Sequence, residues 1–131
     1  MKVLICDDDK CIVDEIKNNL NTFSDKHRIV FDIDLFYNGV ELLNSNISYD
    51  MAFIDIEMPQ VNGLTLSAQL KKVNSNIIIF IITSHDAYLD DAMDLDVFRY
   101  LSKPIDKDRF FRALNTAINY YHSNTQIITL E

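Results

Sequence analysis

Five short apolar runs, each followed by a stretch with helical spacing, constrain this chain more than any other feature. Lys2–Cys6 is brief and rich in branched apolar residues, so it reads as a buried strand. Ile12, Val13, Ile16, Leu20 and Phe23 then recur in steps of three and four, marking one face of a helix over residues 10–23. Arg28–Phe36 reads as a second strand, and Asn38-Gly39 opens a short helical segment containing Val40, Leu42 and Leu43. Met51–Asp55 is a third strand, followed by a helix over Gly63–Val73 with Leu66, Leu70 and Val73 on one face. Ile77–Thr83 is the most apolar run and suits a strand covered on both faces. Ala87–Leu95 reads as a short helix and Phe98–Leu101 as the last strand. Asp106–His122 is a helix with Phe110, Leu114, Ala117, Ile118 and Tyr121 toward the core.

Strand-helix alternation of this kind predicts an α/β domain: a doubly wound five-stranded parallel sheet with helices on both faces. The common order for five strands is 2-1-3-4-5, the flavodoxin-like arrangement. A chain of 131 residues can bury enough surface to fold as one domain without disulfides or a structural metal. The domain is expected over residues 1–122. Residues 123–131 (SNTQIITLE) differ in character: Gln126–Leu130 could begin another strand. This tail is either the start of a following domain or a remnant foreign to the natural chain.

Twenty acids against twelve bases give a formal charge of −8, which argues against this domain gripping a nucleic-acid backbone. The two cysteines, Cys6 and Cys11, are too few for a zinc site and read as reduced thiols. No apolar stretch approaches the ~20 residues of a membrane span. The N-terminus runs directly into a strand with no leader pattern, so a cytoplasmic location is expected.

The ends of the strands carry the chemistry. The first ends in Asp7-Asp8-Asp9, the third in Asp55, the fourth in Thr83-Ser84 and the fifth in Ser102-Lys103-Pro104. In parallel strands these ends share one edge, and doubly wound sheets bind ligands there, where strand order reverses between strands one and three. At ~4 Å and an effective dielectric of about 20, each pair of carboxylates costs roughly 4 kcal/mol before solvent relaxes it. Such a pocket suits a cation, and all-oxygen ligands favour Mg²⁺ or Mn²⁺. Lys103 can neutralise a phosphoryl oxygen, Thr83 can donate a hydroxyl hydrogen bond, and a carboxylate can itself become the nucleophile. Met58-Pro59 is expected to shape the turn after Asp55, with Gly63 permitting a special backbone angle. His85 is expected to be a loop residue beside the site, and Asp9 a helix cap.

The segments VLICDDD at 3–9, FIDIEMPQVNG at 53–63, IITS at 81–84 and YLSKPI at 100–105 together resemble the receiver domain of two-component response regulators. The resemblance covers residues 2–122. It implies that Asp55 is the phosphoacceptor, that Asp8 and Asp55 ligate Mg²⁺ directly, and that Asp7 acts mostly through water. It further implies a Glu57 backbone carbonyl at the metal, Thr83 and Lys103 on the phosphoryl oxygens, and a cis bond at Lys103-Pro104. Tyr100 matches the family's switch aromatic. Asp96-Val97 stands where the family often has Gly-Ala. The Thr83–Asp86 and Val97–Leu101 runs, with the terminal QIITL, look like regulators whose output is a LytTR-type DNA-binding domain.

The implied partners are a histidine kinase and a second receiver. The second receiver would pair, after phosphorylation, through the fourth and fifth expected helices and the fifth strand. The implied role is a signalling switch controlling transcription, not a turnover enzyme. Two rivals stand beside it. One is a haloacid-dehalogenase-like phosphatase with Asp7 as nucleophile and Asp9 as its second acid. The other is a degenerate receiver that dimerises without phosphate.

Overall fold

The computed structural model describes residues 1–43, 45–84 and 97–130, with side chains described through residue 124. The helix expected over Ala87–Leu95, together with His85 and Asp96, lies outside the described residues. Five strands, β1 (Lys2–Cys6), β2 (Asp32–Phe36), β3 (Met51–Asp55), β4 (Ile78–Thr83) and β5 (Arg99–Ser102), form one sheet. The order is β2-β1-β3-β4-β5 and every pairing is parallel, as the strand-helix alternation predicts. The described helices are α1 (Lys10–His27), α2 (Val40–Leu43), α3 (Gly63–Val73) and α4 (Lys107–Leu130).

Side chains alternate across the sheet and feed two cores. On one face Val3, Ile5, Phe53 and Phe80 meet α1 through Val13, Ile16 and Leu20, and α4 through Phe110, Leu114 and Ile118. Phe53 stacks on Phe80 at 4.7 Å and on Phe110 at 5.4 Å between ring centroids, locking β3, β4 and α4 together. On the other face Leu4, Ala52, Ile54, Ile79 and Ile81 meet Leu66 and Leu70 of α3. Burial on both faces is why β3 and β4 are apolar throughout except at their C-terminal ends.

Helix starts fix the loops around those ends. Asp9 caps α1 by accepting from the Cys11 amide at 2.9 Å. Asn62 caps α3 by accepting from the Leu64 amide at 2.7 Å. Asn38 accepts from the amides of Val40 and Glu41 at the start of α2.

Three boundaries differ from expectation by more than one residue. Helix α1 continues four residues beyond Phe23 because Ser24–His27 contains no breaker. Lys26 and His27 suit the negative end of the helix dipole, and the His27 ring stacks on Phe23 at 4.0 Å. Arg28 then turns left-handed at φ 56°, so β2 starts at Asp32 rather than Arg28. At the other end, Gln126–Leu130 is not a strand. Nothing in Ser123-Asn124-Thr125 stops a helix, and α4 runs on to Leu130.

Gly63 also differs in its reason. No glycine takes a positive φ; Gln60 does, at 72°. The Val61 amide reaches back to the Pro59 carbonyl at 2.8 Å, closing a three-residue turn around Gln60. Gly63 is needed for space: a Cβ there would lie 2.1 Å from the Asp55 carbonyl oxygen. Its amide donates to the Ile56 carbonyl at 2.9 Å, pulling the start of α3 against the end of β3. Gly63→Ala should therefore cost roughly 2–4 kcal/mol in urea unfolding, since the obstacle is backbone and has no rotamer to change. A loss under about 0.5 kcal/mol would show that the loop moves freely.

Candidate functional site

The parallel register places the ends of β1, β3, β4 and β5 along one edge. Cys6 pairs with Ile54, Asp55 with Ile82, and Thr83 with Ser102, so the residues just beyond converge. Asp7 is 1% exposed, Asp55 5% and Thr83 3%, whereas Asp8 is exposed. One carboxylate oxygen each from Asp7, Asp8 and Asp55 lies within 4.8 Å of the others.

Lys103 enters this group from the loop after β5, its amide donating to the Thr83 carbonyl at 3.0 Å. Its ammonium sits 2.9 Å from Asp7 Oδ2 and 3.5 Å from Asp55 Oδ2. The contact to Asp7 is an ion pair off the hydrogen-bond direction, so the buried Oδ2 accepts no hydrogen bond. Asp7 Oδ1 accepts from the Asp9 amide at 2.9 Å, and the Asp7 amide donates to the Phe36 carbonyl at 3.1 Å. Asp55 Oδ1 accepts a longer bond, 3.3 Å, from the Glu57 amide. Glu57 itself is exposed. The Lys103-Pro104 peptide is cis.

Burial and mutual repulsion set the titration of the site. Burial pushes the Asp55 carboxyl up to about 6, Asp7 adds to the rise, and Lys103 and the Glu57 amide oppose it. Burial also raises Asp7, against the pull of the Asp9 amide and Lys103. For Lys103, burial disfavours the charge, but Asp7 and Asp55 outweigh it and hold the ammonium above its usual range. A buried carboxylate oxygen without a hydrogen bond, beside two further carboxylates, is a donor set suited to a hard divalent cation. Thiol chemistry has no place here: burial, reinforced by Asp7 and Asp55, pushes Cys6 up to about 12.

The structure thus brings Asp7, Asp8, Asp55 and Lys103 into one cluster, with Thr83 on the adjoining strand end. Tyr100 stands apart on β5, opposite Ile81, half-buried and packed against the second core. Asp9 caps α1, as expected, but its backbone amide also aims Asp7. That role and the Phe36 carbonyl were not foreseeable from residue types, because every residue carries the same backbone groups.

A family model described as the response regulator receiver domain matches residues 3–115. The sensory transduction protein LytR of Staphylococcus haemolyticus is 28% identical over 127 residues, covering 97% of this chain and 49% of that protein. The sensory transduction protein LytT of Bacillus anthracis is 31% identical over 114 residues, covering 87% of this chain and 46% of its own. The chain therefore spans about half the length of these curated relatives. A solved receiver domain protein from Clostridium thermocellum superposes with a TM-score of 0.74 at 27% identity, covering 91% of this chain and 94% of that one. TrrA from Thermotoga maritima, solved in complex with Mg(2+)-BeF, gives a TM-score of 0.74 at 24% identity over 88% and 97% of the two chains, a likeness of fold. With the family model matching most of its length, the chain belongs to the response regulator receiver domain family of two-component systems.

Proposed function

We propose that this domain takes a phosphoryl group onto Asp55 from the phosphohistidine of a histidine kinase. The observation that carries this reading is the different state of the two buried carboxylates. Asp7 is fixed by the Asp9 amide and held at 2.9 Å by Lys103. Asp55 has one long hydrogen bond and a longer ion pair, so it is the carboxylate with an oxygen to give. The phosphatase alternative makes the constrained Asp7 the nucleophile and leaves Asp55 without a role.

In the proposed step, an Asp55 oxygen attacks phosphorus. The new O–P bond forms as the P–N bond breaks. The electron pair stays on the imidazole, which leaves neutral when its other nitrogen already carries a proton. Lys103 then turns its charge toward a phosphoryl oxygen, and the Thr83 hydroxyl donates to another. Asp7, Asp8, Asp55 and the Glu57 carbonyl would hold Mg²⁺ or Mn²⁺. When bound, that ion supplies charge neutralisation at the phosphoryl oxygens. Movement of Thr83 would let Tyr100 repack, altering the face that carries β5 and α4. Read-out would be transcription control through a DNA-binding domain of LytTR type; a Staphylococcus aureus relative bears the name transcriptional regulatory protein LytR, which supports the transcriptional part of this reading. The domain acts as a switch and turns over only its own phosphoryl group. A cytoplasmic location suits this role, and no described helix is long and apolar enough to cross a membrane.

Acetyl phosphate with Mg²⁺ should add the mass of one phosphoryl group to the wild type and none to Asp55→Asn, read by intact mass spectrometry. Incorporation that survives Asp55→Asn would sink the assignment. Turnover of a phosphomonoester abolished by Asp7→Asn would support the phosphatase instead.

The crowded charges give a second expectation, for metal-free protein in chelator. Asp55 titrates near 6 in the folded state, above its unfolded value. The folded state therefore holds the extra proton between about pH 4 and 6, and stability falls as pH rises through that window. Asp55→Asn should raise stability above pH 6 by about 1–3 kcal/mol, with the gap closing toward pH 4. A variant less stable at pH 7.5 would overturn the crowding argument. Millimolar Mg²⁺ should raise the wild-type melting temperature by mass action and raise that of Asp55→Asn less. Equal shifts would place the ion elsewhere.

A further inference from the structure

Two sulfur atoms meet beside the acidic crevice, and neither takes part in the proposed phosphoryl transfer. Cys6 ends β1 and is fully buried. Its thiol lies 3.5 Å from Met58 Sδ and 3.5 Å from the Asn38 carbonyl, one proton between two acceptors. Met58 is half-buried: it packs against the second core and also lines an open cavity of about 310 Å³ with Ile56, Glu57, Pro59 and Asn62. Met58 is therefore the member of the pair that solvent reaches. The loops around this contact have little slack. A Cβ on Gly39 would lie 3.0 Å from Val61 and 3.6 Å from the Met58 methyl, so the loop after β2 sits directly on the loop after β3. Met58 also shares a peptide unit with the Glu57 carbonyl, the backbone group proposed at the metal. The Glu57 amide in turn donates to Asp55 Oδ1 at 3.3 Å. A displacement of Met58 thus reaches the metal site and the acceptor carboxylate through one short stretch of backbone.

We propose that Met58 is a modification site for hydrogen peroxide, and that its sulfoxide weakens metal binding in the crevice. A lone pair of the thioether attacks one peroxide oxygen, and the S–O bond forms as the O–O bond breaks. The departing hydroxide takes the proton from the new S–OH, leaving the sulfoxide and one water. Sulfur is oxidised by two electrons and the peroxide is reduced by two. A thioether reacts without losing a proton, so it needs none of the activation a thiol requires. The product is polar and chiral where a thioether was packed, and its oxygen accepts hydrogen bonds better than the thioether did. That oxygen has to fit against a thiol now 3.5 Å away or turn out into the cavity. Either path moves the Glu57-Met58 peptide, because the Gly39 and Val61 contact leaves no room to absorb it. This effect depends on the acidic crevice being the Mg²⁺ site proposed above.

The test treats unphosphorylated protein with hydrogen peroxide and then with dithiothreitol, which reverses sulfenic acids and disulfides but leaves sulfoxides. Peptide mass mapping should find one added oxygen on Met58 well before Met51, which is fully buried. In a Mg²⁺ titration followed by melting temperature, the oxidised protein should need at least about tenfold more Mg²⁺ for the same rise. Met58→Leu conserves the apolar volume, so it should keep the untreated Mg²⁺ response and lose the sensitivity to peroxide. Cys6→Ala should oxidise at Met58 as readily but lose less Mg²⁺ affinity, because space opens where the new oxygen must fit. An equal loss in Cys6→Ala would overturn the part given to the thiol contact. No oxygen on Met58 under conditions that oxidise a free methionine peptide would overturn the proposal. So would an unchanged Mg²⁺ response once Met58 is oxidised, or a Met58→Leu variant that peroxide still impairs. A missing Mg²⁺ response before any oxidation would overturn the metal site itself and this proposal with it.

Discussion

One ammonium holds together two carboxylates that the fold forces into contact. Parallel pairing of β1 with β3 puts Asp7 beside Asp55, both almost wholly buried. Lys103 reaches both, at 2.9 and 3.5 Å. Removing it would leave two buried charges facing each other, an arrangement that costs several kcal/mol and is relieved by protonation. The rise of Asp55 to about 6 shows that the ammonium only partly offsets burial and repulsion. The site is therefore under tension and suits an incoming cation or a reaction that consumes one carboxylate's charge.

The surrounding packing keeps that tension from dispersing. Phe53 is stacked between Phe80 and Phe110, so the end of β3 has little freedom to withdraw Asp55. Gly63 leaves no room for a Cβ beside the Asp55 carbonyl, and the Gln60 turn brings the chain back sharply enough for that close approach. On the β1 side, the Phe36 carbonyl and the Asp9 amide grip Asp7 from two directions. The edge strand β2 brings no side chain to the crevice, yet its last carbonyl helps orient the carboxylate that pairs most closely with Lys103.

What could be read from residue types was what depends on side-chain chemistry and periodicity. The apolar runs and their polar ends fixed the strands, their order and the meeting of Asp7, Asp8, Asp55 and Lys103. What depends on backbone position was hidden. Gly63 was expected to supply a backbone angle, but the angle belongs to Gln60 and the glycine supplies clearance. The limit of α1 was set by the His27–Phe23 stack and a left-handed Arg28, neither of which periodicity encodes. Terminal Gln126–Leu130 has strand composition, yet the helix before it meets no breaker and propagates through it.

Charge is also divided by position. Acids gather at the strand ends, where their repulsion favours a cation. Arginines gather on β5 and the first turns of α4, where Arg99, Arg109 and Arg112 line one groove. Tyr100 belongs to both neighbourhoods, since it pairs with Ile81 two residues before Thr83 and also lines the arginine groove. Burial raises its hydroxyl pKa, so it enters either environment neutral and able to donate a hydrogen bond. A rotation of that one ring would change the shape of the groove without moving any of the charges that define it. The shape of the groove would then follow the acidic pocket through packing alone, with each set of like charges left in place.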